Sequence, residues 1–147
     1  MELLGLFILI AGFIIGLGAV TVIDLHGFLG RNSSYWTETT IRVHKVTKPL
    51  IWIGTLLATV GGFTFYSQNA ITWIPMTHLS ILPVLIINGI FLSFYVSPHL
   101  LKMEAEGRAR ETLPRRLQMY ISVSFVISFV GWWGSLLLLV WYLIHHV

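Results

Sequence analysis

The 147-residue chain contains no cysteine, and only 10% of its residues are charged. The first absence excludes a disulfide-stapled scaffold and the thiolate route to metal binding. The second separates it from soluble domains, in which about a quarter of residues carry charge. Polar low-complexity sequence is missing too, which excludes disorder. No stretch couples a nucleophile to a base, cradles a phosphate or pairs two carboxylates. What remains is apolar: 56% of residues are hydrophobic, aromatic residues make up 14%, and mean hydropathy is +0.82. A soluble domain of this size leaves too large a share of its surface exposed to hide so much apolar area. The composition predicts an integral membrane protein forming one all-α domain.

Four apolar stretches, at about 3–25, 47–67, 73–97 and 117–144, are long enough to cross a membrane as helices. A hydrocarbon core of ~30 Å needs about 20 helical residues. Strand-length alternation is absent, and lipid offers unpaired backbone no partners, so each span is expected to be helical. Met1-Glu2 supplies no basic lead and no small-residue cleavage site follows, so the first stretch reads as a permanent helix and not a signal peptide.

All nine basic residues fall in two segments. Arg31, Arg42, Lys45 and Lys48 lie between the first stretch and Pro49. Lys102, Arg108, Arg110, Arg115 and Arg116 lie between the third and the fourth. The positive-inside rule then places both segments in the cytoplasm and both termini outside, in a multi-pass protein of the inner membrane. The pI near 9.5 reflects this topology and contact with anionic lipid. Membrane lipids are the expected surroundings, a second copy or a membrane protein is a candidate partner, and nucleic acid is not expected.

Small residues recur four apart: Gly12 and Gly16; Gly54, Ala58 and Gly62; Ser124 and Ser128; Gly131 and Ser135. Such rows let helix backbones approach closely, so a compact bundle is expected. Both basic segments read as helical. Ser34 is an expected N-cap, with Pro49 marking a kink or fresh start. Ser97-Pro98 reads as cap and first-turn proline of a second short helix. Glu104/Arg108 and Glu106/Arg110 would be i,i+4 pairs on it. Leu100, Leu101 and Met103 would face the membrane surface. Asn88 is expected to bond across helices, and Pro83 to loosen the third span. The Trp132-Trp133 pair reads as packing against small residues or as a cofactor wall.

The histidines sort into two layers. His26, His44 and His99 fall at the cytoplasmic side, beside Asp24 and the cations Arg42, Lys45 and Lys102. His78, His145 and His146 fall at the outer side, the last two as a solvated tail. Imidazoles on facing helices can hold a haem iron axially, with the cations on its propionates. The same His26, His44 and His99 set suits zinc or copper. Interfacial histidines with no ligand are the third alternative, since ionisable groups avoid the bilayer centre. No acid is expected inside the membrane core, which argues against a proton pump.

The segments VIDLHGFLGR and IRVHKVTKPLIWIG, with the glycine-rich end of span 2, resemble small four-helix bacterial membrane proteins of no assigned function. More remotely they are similar to the HemJ (protoporphyrinogen oxidase) and CopD (copper-resistance) type of bundle. The shared features are a His closing span 1 at His26, a polar-basic segment, and a proline opening span 2 at Pro49. The HemJ likeness implies haem b binding, and the CopD likeness implies copper handling. Only His26 inherits a ligand role. The HemJ pattern's His near the start of span 1 has no counterpart here, and its lysine at the start of span 3 is replaced by His78-Leu79-Ser80.

Overall fold

A computed structural model describes residues 2–30, 33–67 and 72–146, with the side chains of Trp36 and His146 excepted. Helix α1 runs Glu2–Gly30 and α2 Ser34–Tyr66. Helix α3 runs Trp73–Phe91 and passes through a π-helical turn, Leu92–Val96, into α4, Ser97–Ala105. Helix α5 runs Arg115–His146. The regular elements among the described residues are all helices, with no strand. Four helical rods, with α3 and α4 forming one, are long and apolar enough to cross a membrane.

From Ser34 the first basic segment is the start of α2, and the second is helical only as far as Ala105, with residues 106–114 irregular. Helix α2 begins after Ser33, one residue before the expected cap, and continues through Pro49 without a break. Ser97 is helical, not an extended cap, and only 2% exposed. The cause is Pro98. A proline inside a helix offers no N–H and its ring crowds the carbonyl four residues back, here that of Phe94. The turn widens ahead of it, and the Ser97 N–H bonds to Leu92 O, five residues back. Pro83, by contrast, sits within an uninterrupted α3.

Helix α4 ends at Ala105, and Gly107 takes the left-handed conformation (φ 71°) that glycine adopts without a Cβ clash. The helix therefore stops before the expected i,i+4 pairs can form. Glu104 meets Lys45 at 2.8 Å, Arg110 meets Glu38 at 3.0 Å, and Arg108 meets Glu106 and Glu111 at 3.0 and 2.7 Å. Leu100 and Met103 are buried against Ile41, Val96, Leu113 and Leu117 instead of lying outward, while Leu101 is exposed.

Helices α1 and α2 form one closely packed pair. A Cβ on Gly12 would collide with the Ala58 backbone, one on Gly54 with Gly16, and one on Gly61 with Leu9. The small-residue rows thus act within the chain, with Gly61 rather than Gly62 in the last contact. Helices α3 and α5 join through side chains. Asn88 Nδ2 donates to Ser124 O at 3.2 Å and Ser128 Oγ at 2.9 Å, as expected of a polar residue in mid-helix. Trp132 bridges the two pairs. It is 5% exposed, meets Phe13 edge-to-face at 6.0 Å and covers Gly16, whereas Trp133 faces outward.

Candidate functional site

The α1–α2 register places the site. Gly5 lies against Phe65, Gly12 against Ala58, and Gly16 against Gly54. Carrying that antiparallel alignment two turns further brings Asp24 to the α2 turns holding His44, Thr47 and Lys48. Asp24 and His44 line one cavity of about 80 Å³ with Thr40, Lys48 and Trp52 of α2, Asn88 and Ser93 of α3 and the π turn, and Ser124 and Ser128 of α5. Polar residues from every rod therefore converge there, toward the end of the bundle that carries the basic residues.

Asp24 is 8% exposed, and its Oδ2 has no hydrogen-bond partner; His44 Nε2 is likewise buried and unpartnered. A carboxylate out of water costs several kcal/mol unless matched by charge or hydrogen bonds. Here the residue that carries it lines a mostly apolar cavity into which polar groups from all four rods are set. The chamber's far wall depends on the π turn. Ser93 O would be paired by residue 97 in an α-helix or by residue 98 in a π-helix. The first N–H bonds to Leu92, and the second residue is Pro98. Lys48 Nζ fills the role, donating to Ser93 O at 3.1 Å, and Trp52 Nε1 donates to Ser93 Oγ at 3.1 Å. π turns often occur at functional sites.

No family description, curated protein or solved structure matches this chain. The site's chemistry is therefore argued from its own residues.

Of the expected ligand set, His44 alone lines the chamber. His99 is exposed, lies tilted against the Tyr95 ring, and bonds through Nδ1 to Tyr95 O at 2.7 Å. His26 makes the same kind of bond, Nδ1 to Val22 O at 2.7 Å. Among the described residues no group of three or more His, Cys, Asp or Glu side chains is placed to hold a metal ion. The expected propionate partners are engaged with carboxylates: Arg42 with Glu38 at 2.6 Å, Lys45 with Glu104, and Lys102 with Glu106 at 3.8 Å. A chamber of about 80 Å³ holds two or three waters or one small ion. Pockets for larger organic ligands run from about 300 Å³ upward.

The remaining histidines divide. His145 bonds to Trp141 O at 2.9 Å and stacks on the Trp141 ring, and the side chain of His146 lies outside the described residues. His78 is half-buried between Tyr66 and Ser135. Sequence reading passed over Asp24, Thr40, Lys48, Trp52 and Ser93 as site residues. For Asp24 a signal existed: it is the one charge in α1 after Glu2, six residues before the helix ends.

Proposed function

We propose that the chain is a multi-pass membrane protein, seated in the inner membrane with its basic end in the cytoplasm, and that it is a small transporter component handling protons or another small monovalent cation. The single observation that carries this reading is the buried Asp24 carboxylate oxygen, without a hydrogen-bond partner, on a residue that lines an internal chamber among four apolar helices. Ionisable groups inside such helices are costly and mark ion or proton paths by default. Embedding in lipid is supported by the outward apolar coat, including Leu3, Phe7, Ile14, Ile87, Val130 and Leu137. Orientation rests on the placement of the basic residues.

In this reading Asp24 binds the cation or proton, and Thr40 and His44 line the space beside it. Lys48, held on Ser93 O and lying 5.7 Å from the Phe94 ring centroid, sets the positive charge at the chamber's rim. Proteoliposomes containing the protein and an internal pH-sensitive dye provide the test. An imposed pH gradient is expected to collapse faster than in empty vesicles, and Asp24→Asn to return the rate to the empty-vesicle value. Equal rates for wild type and a folded Asp24→Asn protein would refute the reading.

A second reading keeps haem or a metal at the His26, His44 and His99 side. Its support is the open Nε2 of His44, together with the Nδ1 bond of His99 to a backbone carbonyl, which leaves Nε2 of that neutral ring as the acceptor. The likeness to HemJ and CopD bundles belongs to this reading. A Soret band in purified protein, lost on His44→Ala, would favour it over the first. A colourless protein with cation flux would eliminate the haem form.

A further inference from the structure

A second cavity, of about 340 Å³, opens at the opposite end of the bundle and shares no polar residue with the chamber except Thr55. It lies where α2 and α3 diverge, each packed on other helices and scarcely on one another. Its walls are apolar, with Leu9, Phe13, Phe63, Leu79 and Leu82 among them. Its size falls in the range of small-molecule sites, which pair an apolar lining with a few placed polar groups.

Three of the hydroxyls share one property, while Ser135 and Trp132 also line the cleft. Thr55 Oγ1 donates to Ile51 O at 2.8 Å, Thr59 Oγ1 to Thr55 O at 2.7 Å, and Ser67 Oγ to Thr64 O at 3.0 Å. Each hydroxyl has spent its proton on its own helix and turns only lone pairs outward. His78 extends the pattern. Its Nε2 lies 2.8 Å from Ser135 O, which can only accept, so in the neutral ring Nε2 donates and Nδ1 accepts. Tyr66 Oη, 2.9 Å from that Nδ1, is then the donor. The Tyr66 oxygen therefore keeps lone pairs and no proton for anything else. His78 is locked in one tautomer by elements 57 residues apart in sequence.

The Tyr66 side of this cleft suits a ligand with an apolar body and its own proton. We infer that the cleft binds a membrane-soluble alcohol or phenol, its hydroxyl donating to Tyr66 Oη or the adjacent threonine oxygens, and its hydrocarbon lying among Phe13, Leu79 and Leu82. Ethers, ketones and hydrocarbons of the same shape fit the walls but supply no proton to these oxygens. Two sources share this chemistry: the ring hydroxyl of a quinol-type molecule and the terminal hydroxyl of an aliphatic lipid alcohol.

Calorimetric titration of the purified full chain in detergent, with empty micelles subtracted, tests this with para-octylphenol, its methyl ether and dodecanol. The phenol is expected to bind roughly three- to ten-fold more tightly than the ether, the worth of one net hydrogen bond. Dodecanol matching the phenol indicates the lipid-alcohol source, and dodecanol matching the ether indicates the aromatic one. Tyr66→Phe is expected to reduce the phenol to the ether's affinity, and Leu82→Trp, which fills the cleft without touching the hydrogen bonds, to abolish both. Equal binding of phenol and ether to wild type would overturn the proposal. So would unchanged binding in Leu82→Trp.

Discussion

Helices α1 and α2 meet backbone against backbone, whereas α3 and α5 meet through the tips of polar side chains. Glycines make the first pairing close and featureless, with no room for a ligand. Asn88 and His78 make the second pairing by reaching to Ser124, Ser128 and Ser135, which holds the helices at a distance. Both cavities lie in the seam between the two pairs. Van der Waals contact in lipid can be made tight enough to hold a bundle together, while interhelical hydrogen bonds contribute less than is often assumed. The rigid pair is thus the frame, and the looser one furnishes the sites.

The comparison is broken most severely at Gly12. Gly12→Leu drives a side chain into the Ala58 backbone, and we expect about 3 kcal/mol or more of destabilisation, read as loss of folded protein in detergent. Gly134→Leu, at a position with nothing within 4 Å of an added Cβ, is the control and should melt like wild type. Next in size is Asp24→Asn. It should abolish flux while leaving thermal stability equal or higher, because an unmatched buried carboxylate is removed. A protein that loses both flux and stability would make Asp24 a structural residue.

Asn88→Ala is expected to cost about 1 kcal/mol or less, since its two bonds join helices already in contact. A cost as large as that of Gly12→Leu would erase the distinction between the pairs. The smallest effect lies outside the helices that cross. The hydrogen bond from Arg108 holds the Glu111 carboxyl below the usual carboxylate range. Its contribution is present above the ordinary carboxylate value and fades as pH falls through the lowered one. Both groups are exposed, so acidification should lower amide protection, measured against the intrinsic exchange rate at each pH, only across residues 106–113 and leave the bundle's melting unchanged.

The number of spans was readable because length and apolarity decide it, whereas their limits were not where a helix runs past its apolar stretch, as α2 does back to Ser34. The angular position of each side chain was not readable either. A helix that is apolar all round has no hydrophobic stripe to show which face is buried. His26, His44 and His99 could be set at one end of the bundle, but only packing reveals that His44 turns into the chamber and His99 away from it. Asp24 was read as an end residue because α1 was expected to stop near residue 25; the helix runs on to Gly30 and carries Asp24 inside. Pro98 was legible as a helix-modifying residue, yet a proline can open a helix or widen one, and the choice depended on α3 continuing into α4.

The central claim is that Asp24 is a reversible proton- or cation-binding carboxyl inside the bundle. Infrared difference spectra of the reconstituted protein, recorded across a pH titration, test it directly. A protonated-carboxyl band that grows on acidification in wild type and is missing from Asp24→Asn is the predicted result. Superimposable spectra from the two proteins at every pH would contradict it.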